Sequence, residues 1–259
     1  MNLLLLDTDA CDADGCATLP AAQAHHVRTV LRATVGDRVR VGLVDGPLGI
    51  GIVSRLTADD VVVRCAFDAS PPPVPSLDLL LALPRPKVLR RLLPQLTALG
   101  VRRLMLCNAA RVERHYFDTH VLDAEELDVC LREGLQQARD TRRPLVTVHR
   151  QFRVLVEDHL EALVGDVEAR LVAHPGAAPR ISEALASTRT AAAAGVPSSS
   201  LHSRRVALAV GPEGGWTDFE RALLVAHGFT EVSLGTRVLR SDTACLALVA
   251  LAHDALRHA

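Results

Sequence analysis

The first third of the chain alternates apolar and polar positions in short runs. Asn2 to Asp7 predicts a short strand, and Leu19 to Leu31 follow helical spacing. Three β-like runs come next: Arg38 to Val44, Leu48 to Leu56 and Asp60 to Phe67. Gly36-Asp37 and Asp45-Gly46 supply turns beside them. Short strands at this spacing predict a small β-barrel domain over residues 1–70. Pro71-Pro72-Pro73-Val74-Pro75 can continue neither a helix nor a central strand, so residues 71–76 read as a stiff linker.

From residue 77 to 259 the rhythm changes to alternating strand and helix. Leu77 to Leu83 is nearly continuous apolar sequence, as in a strand buried on both faces. Lys87 to Leu99 is helical up to Gly100, with Pro94 expected to kink or restart it. Strand Val101 to Cys107, helix Asp123 to Arg139, strand Leu145 to Val148, helix Val154 to Leu163 and strand Glu168 to Ala173 follow. Gly176 to Ser203 is rich in Ala, Ser and Pro, with one helix at Ile181 to Ser187 and a mobile loop expected. Strand Arg205 to Val210, helix Asp218 to His227, strand Thr230 to Leu234 and a terminal helix from Asp242 to Arg257 complete the order. Such alternation predicts an α/β domain whose mostly parallel sheet is covered by helices. The terminal helix carries apolar residues nearly all round from Ala244 to Leu251, which predicts burial on every side.

Composition sharpens this picture in three places. Hydrophobic residues make up 49% and aromatic ones 3%, so the core must be aliphatic. The net charge of -1 removes bulk attraction to nucleic acid, and any polyanion must be met by local groups. Lys87 is the single lysine; every other cation is arginine, whose planar fork suits phosphate, although a GC-rich genome would give the same usage. The six cysteines form no CxxC pair and several lie in apolar runs, which fits a reducing cytoplasm better than a disulfide framework. The start of the chain shows no basic segment ahead of an apolar one, and Ala244 to Ala252 is about half a bilayer span. No membrane contact is expected.

Two loops carry the chemistry. The first, Gly211-Pro-Glu-Gly-Gly-Trp216, follows a buried strand and leads to Thr217 and Glu220 at capping-box spacing. Its glycines let the main chain approach a ligand, and ligands of open α/β sheets bind at the carboxyl ends of strands. It is neither GxGxxG nor a P-loop. Alone, such a loop is most often a tight turn. The second, Leu234-Gly-Thr-Arg237-Val-Leu239-Arg240-Ser-Asp242-Thr243-Ala244, follows the next strand in sequence. Arg237 and Arg240 beside Leu239 suit a nucleobase with its phosphate, or the carboxylate of an amino-acid-like cofactor.

Together these motifs resemble the C-terminal signature of the ribosomal RNA small-subunit methyltransferase E family, of the SPOUT class. His26-Val-x-x-Val-Leu-Arg32 with Gly36-Asp37, Leu99-Gly100-Val101, Gln137 with Arg142 and Pro144, and His174-Pro175 extend the resemblance. It implies a trefoil-knotted sheet over residues 77–259, a PUA-like RNA-binding N-terminal domain, and a homodimer. It also implies transfer of a methyl group from S-adenosyl-L-methionine to N3 of a uridine in 16S ribosomal RNA. Carried residue by residue, the resemblance places the cofactor at His174, Gly211, Pro212, Gly214, Gly215, Leu234, Gly235, Leu239, Thr243 and Ala244. Arg240, Arg237 and Glu213 are the candidate catalytic groups; Glu213 is the nearest acidic one and is expected chiefly to hold the loop. Ala98, Gln136 and Asp242 stand where the family usually has an acidic residue, Glu and Glu.

Phosphate contacts are expected from Arg90, Arg91, Arg142 and Arg143 in the densest cationic groups, and from Arg28 and Arg32, four apart on one helix face. His25-His26 and the Cys11–Cys16 loop lack the ligand spacing of a metal site, and no metal is expected. Competing readings are a methyltransferase with another RNA target and a non-catalytic RNA-binding or assembly protein that keeps the fold.

Overall fold

The computed structural model describes residues 3–176, 179–193 and 205–257. The chain divides into two compact units, Met1–Val74 with Asp128–Arg143, and Pro75–Leu127 with Pro144–Ala259.

The N-terminal unit is built on a five-stranded sheet in the order β1-β3-β4-β5-β2. Its strands are β1 (Leu4–Leu6), β2 (Cys16–Thr18), β3 (Arg38–Leu43), β4 (Leu48–Leu56) and β5 (Val61–Phe67). β1 runs parallel to β3 and the other pairings are antiparallel. Strict alternation turns Val39, Val41, Val53, Val61 and Val63 inward, where they pack with Leu4, Leu6 and Val27. β2 is not among the strands expected, because three residues are too few for alternation to show.

Helix α1 (Ala21–Thr29) is shorter than its apolar spacing suggests. The N–H groups of Val30 and Leu31 both bond to the His26 carbonyl, and Arg32 turns to a φ of 50°. Arg28 and Arg32 therefore do not share a helix face. The chain leaves the helix because Ala33 closes back on Val27 and joins the apolar cluster.

Residues 128–143 belong to this unit through contacts that no local pattern reveals. Leu135 is fully buried with Leu3, Leu5 and Val44. Thr141 Oγ1 donates to the Gly46 carbonyl at 2.5 Å, and Arg143 N–H donates to Asp45 Oδ1 at 2.9 Å.

The C-terminal unit carries a six-stranded sheet in the order β11-β9-β10-β6-β7-β8, parallel throughout. Its strands are β6 (Leu77–Ala82), β7 (Val101–Cys107), β8 (Leu145–His149), β9 (Ala169–Ala173), β10 (Val206–Val210) and β11 (Phe229–Val232). Its helices are α2 (Pro86–Ala98), the first turn of α3 (Ala124–Ala138), whose residues from Asp128 on count with the N-terminal unit, α4 (Phe152–Val154), α5 (Leu160–Val164), α6 (Ile181–Ala193), α7 (Asp218–Ala226) and α8 (Ser241–Arg257). β6 and β10 are buried at every position, as expected for strands covered on both faces. Asp78 within β6 is fully buried and is held by a two-pronged bond from Arg102 at 2.8 and 2.6 Å.

Three expectations need correction. α2 runs through Pro94 and does not restart there. The helix after β8 starts at Phe152, and its middle, Leu155–His159, is a π-turn between α4 and α5. α8 buries one face, not all: Cys245, Leu248, Val249 and Ala252 pack inward, while Leu251 stays 47% exposed. It lies against β6, β10, α2 and α6, which cover only that face. The mobile loop expected within Gly176–Ser203 falls mostly outside the described residues. Among the described residues no helix is long and apolar enough to cross a membrane, and no cluster of His, Cys, Asp or Glu could hold a metal ion.

Candidate active site

β9 lies between β10 and β11 in the sheet, so the two motif loops do not follow neighbouring strands. The loop that begins at His174, after β9, stands between them. All three strands are parallel, and their carboxyl ends lie along one edge. The three loops enclose a cavity of about 240 Å³. Its lining takes in His174, Gly211, Pro212, Glu213, Gly214, Gly215, Leu234, Gly235, Arg237, Leu239 and Ala244, all named from the sequence. The structure adds Arg111, Pro175, Val210, Trp216 and Leu248.

The first loop is held from below by Glu220, 3% exposed. Its Oε2 accepts from Thr217 N–H and from Thr217 Oγ1, each at 2.8 Å, while Thr217 Oγ1 accepts from Glu220 N–H at 3.3 Å. This is the capping box expected from the sequence. The other carboxylate oxygen accepts from Ala110 N–H at 2.7 Å and ties the end of β7 to the start of α7. Burial and the Glu220 charge push the neighbouring Cys107 thiol far up, so that cysteine stays neutral. The loop-holding carboxylate is thus Glu220. Glu213, given that task by the sequence reading, is exposed on the rim.

Trp216 is 3% exposed and packs on Phe152 with ring centroids 5.4 Å apart. A Cβ on Gly211 would lie 3.1 Å from Trp216 Nε1 and 3.2 Å from its backbone nitrogen, so a side chain there requires Trp216 to give way. Gly215 takes a φ of 73°, and its N–H closes on the Pro212 carbonyl at 2.8 Å. Arg111 Nη1 donates to the Gly214 carbonyl from above. Two lining atoms, Trp216 Nε1 and His174 Nδ1, are buried without a hydrogen-bond partner among the described residues. A buried polar atom without a partner costs about 1–3 kcal/mol, so both atoms can take a polar ligand group.

The second loop is open. Residues Gly235 to Arg240 are all exposed, Val238 to 84%. Arg240 does not line this cavity. With Glu213, Leu239 and Asp242 it lines a recess of about 290 Å³ that shares Glu213 and Leu239 with the first. Thr243 also falls outside the lining: it is exposed, and its N–H is taken by Asp242 Oδ1 at 2.9 Å. Asp242 accepts from Arg91 at 2.5 Å and lies 3.5 Å from Arg240. Burial raises its pKa, but the Thr243 N–H and the two guanidiniums outweigh burial and hold it below the ordinary 3.8.

A family model for the RNA methyltransferase domain matches residues 70–253. The chain is 30% identical over 260 residues to ribosomal RNA small subunit methyltransferase E of Treponema pallidum (strain Nichols), covering 98% of this chain and 92% of that one. It belongs to this methyltransferase family. The Mycobacterium bovis (strain ATCC BAA-935 / AF2122/97) member is 28% identical over 235 residues, 90% of this chain and 84% of that one. In fold the chain is similar to a ribosomal RNA small subunit methyltransferase E from Neisseria gonorrhoeae, solved bound to S-adenosyl methionine. The TM-score is 0.72 at 19% identity, over 98% and 97% of the two chains.

Against this family the expected phosphate contacts are dispersed over both units. Arg28 donates to the Thr57 carbonyl at 3.0 Å, and Arg142 to the Pro72 carbonyl at 2.7 Å. Arg143 is held by Asp128 at 3.2 Å and Asp45 at 3.5 Å. Arg90 pairs with Glu126 at 2.8 Å and Arg91 with Asp242. Arg32 alone of the six has no side-chain partner among the described residues.

Proposed function

We propose that this chain binds S-adenosyl-L-methionine in the three-loop cavity and methylates N3 of a uridine in 16S ribosomal RNA. The observation that carries the reading is the closure of three strand-end loops on one glycine-lined cavity in a chain of this family. The residues fit the cofactor. Val210, Leu234 and Leu248 offer apolar walls, and the partnerless Trp216 Nε1 and His174 Nδ1 offer polar contacts. Arg237 offers a cation for a carboxylate. When bound, the cofactor supplies an electrophilic methyl group on a sulfonium.

The chain's residues handle the uracil. Loss of the N3 proton spreads negative charge over O2 and O4, and Arg240, in the adjoining recess, stabilises it. Glu213 is the carboxylate that lines the cavity among the described residues, and from the rim it receives the proton. The uridine must be unstacked to reach this edge, which costs a few kcal/mol unless it is already looped out. SPOUT-type trefoil threading, a PUA-like character for the N-terminal sheet and a cytoplasmic place in ribosome biogenesis belong to the same reading. So does a homodimer through the open side of α8: a recess of about 430 Å³ lies there, lined by Ala98, Leu99, Ala250 and Leu256 among others. Ala98 and Gln136, which depart from the family pattern, touch no part of the 240 Å³ cavity, so they give the non-catalytic reading no support.

Mass spectrometry of ribosomal RNA from cells lacking the protein tests this. One missing 3-methyluridine in 16S RNA, restored by purified protein and S-adenosyl-L-methionine, is expected. Fully methylated 16S RNA in those cells overturns the target, and failure of the protein to bind the cofactor in calorimetry overturns the enzyme.

A further inference from the structure

The inward face of the N-terminal sheet is valine. Its outward face is organised just as regularly. Arg38 and Arg40 point outward on β3, where Val39 and Val41 point in. The register places Arg38 opposite Ile52 and Ile52 opposite Arg64; the adjacent row runs Arg40, Ile50, Ala66. Ile52 is 46% exposed, a large apolar side chain left in solvent between two guanidiniums. Gly51, between the isoleucines, faces inward, where a Cβ would meet Val41 at 2.8 Å. β3, β4 and β5 contain no Asp or Glu.

Beside β3 a recess of about 380 Å³ continues this face, lined by Leu31, Asp37, Arg38, Arg40 and Arg139 among others. Asp37 is engaged there by Thr34, whose N–H and Oγ1 both donate to it, at 2.7 and 3.0 Å. Arg38, Arg40, Arg64 and Arg139 form no side-chain hydrogen bond or ion pair among the described residues. This sets them apart from Arg28, Arg142 and Arg143, which are spent on carbonyls and carboxylates of the same unit.

We infer that the outward face of β3, β4 and β5, with Arg139 at its edge, is the RNA-docking surface of the N-terminal unit. This rests on the proposed action on RNA. The guanidiniums do not converge. Arg38 and Arg40 are about 7 Å apart along the strand, and Arg38 and Arg64 about 10 Å apart across two strand spacings. A small anion needs donors that meet at one point. A spread row of cations with an aliphatic strip between them fits a polyanionic chain whose phosphates meet arginine and whose ribose or base faces lie on isoleucine.

The test measures binding of the full-length protein to a short fluorescent oligouridine across a salt series, with no methyl donor present. Combining Arg38→Ala, Arg40→Ala and Arg64→Ala should lower the slope of log affinity against log salt by about 2, at roughly 0.7 per phosphate contact. Arg55→Ala, which removes a cation of β4 already paired with Asp60, should leave the slope unchanged. All three arginines are exposed, so circular dichroism should show the variant folded. A folded triple variant with unchanged affinity and slope overturns the inference. So does a variant that keeps its RNA affinity but loses binding to intact small subunits, since the face would then meet a protein. Because the readout needs no catalysis, a protein that methylates nothing yet loses its slope here sinks the proposed function and leaves this surface standing.

Discussion

The loops after β10 and β11 face one cavity and are held in opposite ways. The first is fixed at every turn: Trp216 is buried against Phe152, Arg111 clasps the Gly214 carbonyl, and Glu220 holds three donors beneath it. The second is fastened only near its ends. Ser233 Oγ accepts from Gly235 N–H at 3.0 Å on entry, and the Arg240 carbonyl accepts from Ala244 N–H at 2.8 Å on exit. Between them Thr236 to Leu239 have no such support among the described residues and expose apolar Val238. The first loop is preorganised, so little ordering entropy is lost when it meets a ligand. The second has fewer fastenings, so on the proposed reading more ordering entropy is lost when it meets a ligand.

That contrast can be broken at four points. Glu220→Ala removes the buried carboxylate and strands the N–H groups of Ala110 and Thr217. Unfolding in urea should show a loss of roughly 3 kcal/mol. A loss below about 1 kcal/mol would mean the first loop is no better held than the second. Arg240→Ala lies in the open loop and should leave stability unchanged while kcat falls by about 100-fold, the effect of losing one charge donor to the developing anion. If KM rises and kcat holds, Arg240 binds the ground state instead. Gly235 has a φ of 106° and nothing within 4 Å of a Cβ, so Gly235→Ala meets strain without a clash. A cost of about 1–2 kcal/mol is expected, read as weaker cofactor affinity in calorimetry; an unchanged affinity would show that the open loop relaxes the strain away. Arg91→Ala breaks a pair that is 58% exposed on the arginine side and should change the melting free energy by less than about 1 kcal/mol. Asp242 has a depressed pKa, so its small contribution is complete above pH 3.8 and is lost as pH falls through the lower folded value. In Arg91→Ala that acid-range loss should shrink, which titration of stability against pH would detect.

Sequence periodicity reads long regular elements best. β7 spans Val101–Cys107, as its apolar run predicts. The Thr217–Glu220 box and the glycines of both loops are equally local, because capping and turn chemistry act within four residues. Arg111 is not local. It stands after β7, 103 residues from the glycine whose carbonyl it clasps, and no spacing along the chain links the two. Glu220 shows the same limit in one side chain. Its bond to Thr217 is written in the spacing, while its bond to Ala110, 110 residues away, is not.

The arginines divide the same way. From sequence, clusters such as Arg142-Arg143 promised phosphate contacts, and folding spent them on Asp45, Pro72 and Asp128. Arg38 and Arg40 are two apart on one strand, and strand pairing adds Arg64 to their face on the far side of Ile52. The sequence by itself determined the two element rhythms, the inward valines, the glycine loops and the family signature. Each depends on neighbours along the chain, or on motifs whose spacing is retained. Tertiary structure alone decided that β9 would stand between β10 and β11, that residues 128–143 would join the N-terminal unit, and which cations would be left without a partner. A cation's availability depends on which carboxylates and carbonyls folding brings within about 3 Å of it, and those partners come from anywhere in the sequence.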